Sequence, residues 1–65
     1  MSLATIVLAT LREQPQSRRE LERVAKLANY SPAGVPRALW ELKKAGLIIH
    51  VRRASRHVRS LYAAA

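Results

Sequence analysis

Apolar residues at the start of the chain recur at intervals of three and four. With Thr10 in phase, the series is Leu3, Ile6, Val7, Thr10 and Leu11. This spacing places the side chains on one face of an α-helix. Ser2 precedes the series as a candidate N-cap, and Pro15 stops it because proline has no amide hydrogen to donate. The pattern predicts an amphipathic helix over residues 3 to 13.

A second helix is predicted over residues 18 to 28. Ser17 and Glu20 have the spacing of a capping box, in which the serine hydroxyl accepts from the Glu20 amide and the Glu20 side chain reaches back. The positions that follow in helical phase and should face the core are Leu21, Val24, Ala25 and Ala28.

The third helix is predicted over residues 32 to 45, after a connection of the length that a helix-turn-helix requires. Ser31 is a suitable N-cap, Pro32 lacks an amide that would be unpaired in the first turn, and Gly46 suits a left-handed C-terminal cap. Helical phase directs one set of side chains inward, namely Val35, Ala38, Leu39 and Leu42. It directs another set outward, namely Ala33, Arg37, Trp40 and Lys44.

Pro36 disturbs this third pattern because it cannot donate the hydrogen bond that a regular helix from residue 32 would need. Either the regular helix begins nearer Val35 or its first turn is loose. Both interpretations keep the inward stripe in phase.

β-Branched and alternating apolar residues dominate the last third of the chain. They predict two strands, over residues 47 to 53 and 58 to 63, that form a hairpin around a basic tip. The expected fold is therefore a single domain, mainly α-helical, with a small β-hairpin.

Charge narrows the class of partner. The 65 residues include 12 Lys and Arg against 4 acids, giving a formal net charge of +8. All four acids lie at or before Glu41, so the positive field should be strongest near the C-terminus. Many cations bind a polyanion tightly because each contact releases a condensed counterion, which favours nucleic acid as the partner. The alternative is a basic protein whose charge serves only solubility.

Several other classes lack the residues that they need. Cysteine and aspartate are absent, and neither a glycine-rich phosphate loop nor a paired carboxylate site is present. We therefore expect no enzyme, metal site, cofactor or small-molecule ligand. No apolar run reaches the roughly 18 residues that a membrane span requires, which predicts a cytoplasmic, nucleoid-associated protein without a membrane partner.

The order of three helices and a basic hairpin resembles the winged helix-turn-helix DNA-binding domains of bacterial and phage transcriptional regulators. The most specific part of the resemblance runs from Gly34 to Ile48, small-Val-x-Arg-x-Leu-x-x-Leu-x-x-x-Gly-Leu-Ile, preceded by Ser-Arg-Arg-Glu-Leu at Ser17. The resemblance implies that residues 32 to 45 enter the major groove of DNA and that residues 51 to 59 form a wing on the backbone or minor groove. It also places Gly34, Pro36 and Arg37 toward the DNA, and helical phase adds Ala33 to this candidate surface.

Arg37 and Trp40 each allow more than one interpretation. An exposed arginine near the start of a helix can bond guanine O6 and N7 together; it can also clamp a phosphate or face water. Trp40 can lie on a sugar or beside Arg37, or it can belong to the core or a dimer interface.

The remaining candidate DNA contacts are cations. Arg19 is the best candidate on the second helix, since Glu22 lies four residues before Lys26 and is expected to neutralise it. Lys43 and Lys44 lie farther along the third helix and should hold phosphates. The strongest collective signal comes from the wing arginines Arg52, Arg53, Arg56 and Arg59.

These features predict a double-stranded DNA-binding protein, acting in transcription regulation. Two alternatives stay open. One is a protein-interaction module or homodimer that docks through an apolar arc at Ala4, Leu8 and Leu11, although Leu8 can instead pack on the C-terminal segment. The other is an RNA-binding winged helix.

Overall fold

A computed structural model describes residues 2–52 and 60–65 of the chain. In this part of the chain, three helices pack with a small antiparallel sheet. The helices are α1 (Leu3–Glu13), α2 (Arg18–Leu27) and α3 (Val35–Lys44), and the strands are β1 (Gln16–Ser17), β2 (Ile48–Arg52) and β3 (Leu61–Ala64). The expectation of a mainly helical chain with a small β component is confirmed.

The local caps explain the helix starts. Ser2 Oγ accepts from the Thr5 amide at 3.2 Å, and Ser17 Oγ accepts from the Glu20 amide at 3.3 Å. One half of the predicted capping box is therefore present, the bond from the Glu20 amide to the Ser17 hydroxyl. In the other half, the Glu20 carboxylate accepts from the Ser17 hydroxyl at 3.5 Å. α1 has the predicted bounds, and α2 ends one residue earlier than predicted.

The third helix was predicted too long, by three residues at its start and by one at its end. Residues Pro32–Gly34 form a 3-10 turn, and the regular helix begins at Val35. Pro36 is the cause, since its missing amide is harmless only within the first turn of an α-helix. The first of the two interpretations of Pro36 is thus correct, and Ser31 Oγ caps the 3-10 turn by accepting from the Ala33 amide at 3.3 Å.

The sheet has three strands in the order β1-β3-β2, so the predicted two-stranded hairpin was incomplete. β1 pairs Gln16 with Tyr62 and Ser17 with Leu61. Two residues carry no periodic signal, and both are polar although buried, which is why the sequence did not reveal this strand.

The pairing of β2 with β3 sets the register of the last residues. Ile48 lies opposite Ala64 and His50 opposite Tyr62, with an irregularity between His50 and Arg52. The final strand extends one residue beyond the predicted 63 but begins only at Leu61, because Ser60, predicted as part of it, is not in a strand. Its predicted start at 58 lies outside the described residues. β2 begins at Ile48, one residue later than predicted.

One core joins all three helices to β2. Its buried apolar residues are Val7, Leu11, Leu21, Ala25, Val35, Ala38, Leu39, Leu42 and Ile48. The whole predicted inward stripe of α3 is buried, whereas Val24 and Ala28 of α2 are only half-buried.

The apolar arc expected on α1 as a docking surface is largely covered by the chain itself. Leu11 is buried, and Ala4 and Leu8 are partly buried and pack against the core. Leu8 therefore follows the alternative in which it packs within the domain.

A residue in the left-handed region lies two positions after the last residue of α2 and of α3. These residues are Asn29, at φ 65°, and Gly46, at φ 75°. After α2, the Tyr30 amide donates to the Ala25 carbonyl at 2.9 Å; after α3, the Leu47 amide donates to the Leu42 carbonyl at 3.0 Å. These bonds are typical of a Schellman motif. They turn the chain sharply into Ser31 and into β2.

Gly46→Ala is expected to lower the free energy of unfolding by about 1 kcal/mol, because an L-residue is strained at this positive φ. An added Cβ would meet nothing within 4 Å, so the loss would come from the backbone alone. Urea denaturation measures it. Asn29→Gly is the reciprocal control and should leave stability equal or slightly higher; an unchanged midpoint for Gly46→Ala would contradict the prediction.

Candidate nucleic-acid interface

The outward side chains of α3 form the candidate interface. As helical phase predicted, Ala33, Arg37, Trp40 and Lys44 are all exposed. Pro36 and Lys43 are exposed beside them on the flank toward β3. The inward stripe fixes this face because Val35 and Leu39 are locked in the core. Cations and one aromatic ring are thus presented on a rigid helix.

Arg37 is oriented along α3 by Glu41. The Arg37 Nε donates to Glu41 Oε1 at 3.3 Å, and the two side chains are 85% and 50% exposed. A solvent-exposed pair at this spacing contributes only about 0.3 to 0.5 kcal/mol. The guanidinium is therefore aligned by the carboxylate but released from it easily.

Trp40 lies on the surface, with 60% of its area exposed. A core role for this residue, one of the interpretations of the sequence, is wrong. The Lys44 ammonium sits 4.9 Å from the centre of its ring, within range of a cation–π interaction. Lys44 thus helps to fix the Trp40 ring, which lies outside the buried core.

Gly34 faces another helix. A Cβ built on it would lie 3.1 Å from Leu3 Cδ2, a tight contact between the 3-10 turn and the start of α1. A side chain at this position would point toward α1. What Gly34 offers to a ligand is therefore its backbone, while Ala33 and Pro36 add small exposed surfaces.

A pocket of about 190 Å³ opens between the start of α2, α3 and β3. It is lined by Arg18, Pro36, Leu39, Trp40, Lys43 and Tyr62. Arg18 and Tyr62 were not among the sequence-based candidates, and Leu39 was predicted only as a core residue. Lys43 was a candidate phosphate contact, and helical phase places it three residues after Trp40 and seven after Pro36.

Glu22 on α2 forms a different ion pair from the predicted one with Lys26. Glu22 Oε2 lies 3.7 Å from Arg18 Nε, so its ion pair is with the residue four positions before it and not with Lys26. Both pairings have helical i, i+4 spacing, and the sequence could not separate them. Arg19 is exposed on the same helix.

The aromatic wall of the pocket is supported from β2. The rings of His50 and Tyr62 stack with centroids 4.5 Å apart and planes 4° from parallel. His50 Nε2 is buried and has no hydrogen-bond partner in the described part of the chain. The stacked histidine backs Tyr62 and fixes the orientation of its ring.

Only the base of the predicted wing falls within the described residues. Arg52 is exposed at the end of β2. Arg53, Arg56 and Arg59 lie outside the described residues. The wing arginines therefore stay a prediction from sequence.

Comparison with protein-family models, with curated proteins and with solved structures found no match for this chain. Among the described residues, no cluster of three or more potential metal ligands occurs. Within the same ranges, no helix is both long and apolar enough to cross a bilayer.

Proposed function

We propose that this protein binds double-stranded DNA as a small transcriptional regulator of the winged helix-turn-helix type, with α3 in the major groove. The observation that carries the proposal is the exposed face of α3, where Arg37, Lys43 and Lys44 surround Trp40 on a helix fixed by its buried side. A major groove admits one α-helix, and cations on its outer face meet phosphates on either side.

The connection from α2 to α3 supports this role. The Schellman turn at Asn29 and the Ser31 cap join the two helices through a short link, as in a helix-turn-helix. Strands β2 and β3 follow α3 in the chain, and β2 carries Arg52 at the base of the predicted wing. Such a function would place the protein at the nucleoid in the cytoplasm.

Electrostatics also favours a polyanion. A net charge of +8 on 65 residues creates a positive field that attracts DNA and releases its counterions on binding. Glu41 is the one acid within α3, and it is paired with Arg37. Lys43 and Lys44 near the C-terminal end of this helix also complement its dipole.

A salt titration tests the proposal. The binding constant for a duplex selected from random sequences should fall with salt, with a log-log slope on the order of −4 to −6 for about five or six phosphates. Fluorescence anisotropy of a labelled duplex measures it. A slope near zero, or an RNA duplex that competes better than DNA, would refute the proposal.

Glu41→Gln is expected to raise the affinity for duplex DNA by about two- to five-fold. The change releases Arg37 from its ion pair and removes a negative charge from the edge of the interface. Glu13→Gln makes the same charge change at the end of α1, away from α3, and serves as the control. Equal gains in both variants would show that net charge alone, and not Arg37, sets the affinity.

A further inference from the structure

We infer that the pocket between α2, α3 and β3 holds one sugar–phosphate unit of a DNA strand, which makes it a backbone clamp beside the base-reading face. This inference rests on the proposed function and deepens it. It assigns a role to Arg18, Lys43 and Tyr62, whose side chains meet only when the domain is folded.

The size of the pocket limits the occupant. Pockets that enclose drug-sized ligands have volumes of about 300 to 1,000 Å³. At about 190 Å³ and open to solvent, this one suits a single small ring with a charged substituent. A deoxyribose with one phosphate meets that description.

The lining has the mixed chemistry of a sugar–phosphate. Trp40, Tyr62 and Pro36 offer flat or apolar surfaces to the carbon face of a sugar, while Arg18 and Lys43 offer positive charge to a phosphate. A free phosphate would leave the aromatic walls without a contact, and a neutral apolar ligand would leave the two cations without a counter-charge. Arg18 is paired with Glu22 at 3.7 Å, but the arginine side chain is 56% exposed, so an anion can compete for this loose pair.

The two aromatic walls are held in place before any ligand binds. Lys44 lies over the Trp40 ring at 4.9 Å, and His50 stacks on Tyr62 at 4.5 Å. Neither supporting residue lines the pocket itself. Rings that are already oriented lose less side-chain entropy on binding, which is the advantage of a preorganised site.

The clamp and Arg37 occupy opposite flanks of α3. Arg37 and Glu41 border a second depression, of about 290 Å³, that α3 shares with Ser2 and Leu3 at the start of α1. Pro36 and Lys43 face the clamp. One flank of the helix would therefore fix its position on the backbone while the other meets base edges, a division of labour common in DNA recognition.

The first test removes the single tryptophan of the chain, which forms one wall of the pocket. Trp40→Ala should weaken duplex binding about five- to ten-fold, as expected from losing about 50 Å² of covered apolar surface, and by the same factor on every sequence. Leu27→Ala, at an 80% exposed position away from the pocket, should change nothing. Circular dichroism confirms that both variants fold.

The second test separates the charges. Lys43→Ala should make the log-log salt slope less steep by about 1, whereas Lys26→Ala on the exposed face of α2 should leave it unchanged. If both pocket variants behave like their controls while the wild type still binds duplex, the clamp is refuted and the proposed function stands. If the wild type shows no salt-dependent duplex binding, the proposed function fails by itself.

A third measurement identifies the bound unit. A single strand made entirely of abasic deoxyribose phosphates should bind with the same dependence on Trp40 and Lys43 as a strand that carries bases, and it should shift the Trp40 emission. A dependence on Trp40 that appears only when bases are present would overturn the assignment in favour of a base pocket. Free deoxyribose 5-phosphate that binds as tightly as the strand would overturn it in favour of a small-molecule site.

Discussion

Leu21→Ala is expected to lower the free energy of unfolding by about 3 kcal/mol and the melting temperature by about 12 to 24 °C. Leu21 is completely buried and belongs to the largest side chains at the centre of the core. Truncation removes its transfer free energy and leaves a cavity between helices that can relax only in part. A domain of this size has a total stability of about 3 to 10 kcal/mol, so the change removes roughly a third or more of it.

Leu27→Ala is the matched control for this change. It deletes the same atoms from the same helix, but Leu27 is 80% exposed. Its effect should stay within about 0.5 kcal/mol. Thermal denaturation followed by circular dichroism compares the two variants, and similar losses at both positions would mean that α2 does not pack through Leu21 as described.

The helices could be predicted because their determinants are local. The caps at Ser2, Ser17 and Ser31 and the stop at Gly46 act within four residues of themselves. β1 could not be predicted, because its two polar residues form a strand only through pairing with β3, which lies more than forty positions later in the chain. The burial of Gln16 has the same distant cause.

The residues of the candidate site likewise fall into two groups, those that could be predicted from one helix and those that depend on the packing of several elements. Helical phase alone identified Arg37, Trp40 and Lys44 as outward, since that placement depends on one helix and one buried stripe. The pocket depends on Arg18, Lys43 and Tyr62 meeting across three elements, and no sequence period connects them. The contact of Gly34 with Leu3 and the choice of Arg18 as partner of Glu22 are also decided by packing.

Arg37→Ala is expected to reduce the affinity for a selected duplex about 5- to 150-fold, the effect of losing a two-bond contact to guanine worth about 1 to 3 kcal/mol. The Arg37 side chain is 85% exposed, and only its Nε is bonded to Glu41, at 3.3 Å. Random duplexes, which gain only charge from Arg37, should lose about three-fold or less. Anisotropy titrations with both duplexes at one salt concentration give the ratio.

Arg37→Lys separates charge from geometry. Lysine keeps the positive charge but lacks the planar fork that bonds two acceptors of one base. If Arg37 reads a base, the lysine variant should keep its affinity for random DNA and lose most of its preference for the selected site. If Arg37 clamps a phosphate, lysine should restore both affinities, and Arg37→Ala should weaken both duplexes by the same factor. Arg12→Ala, an exposed arginine at the end of α1, corrects for the loss of one positive charge.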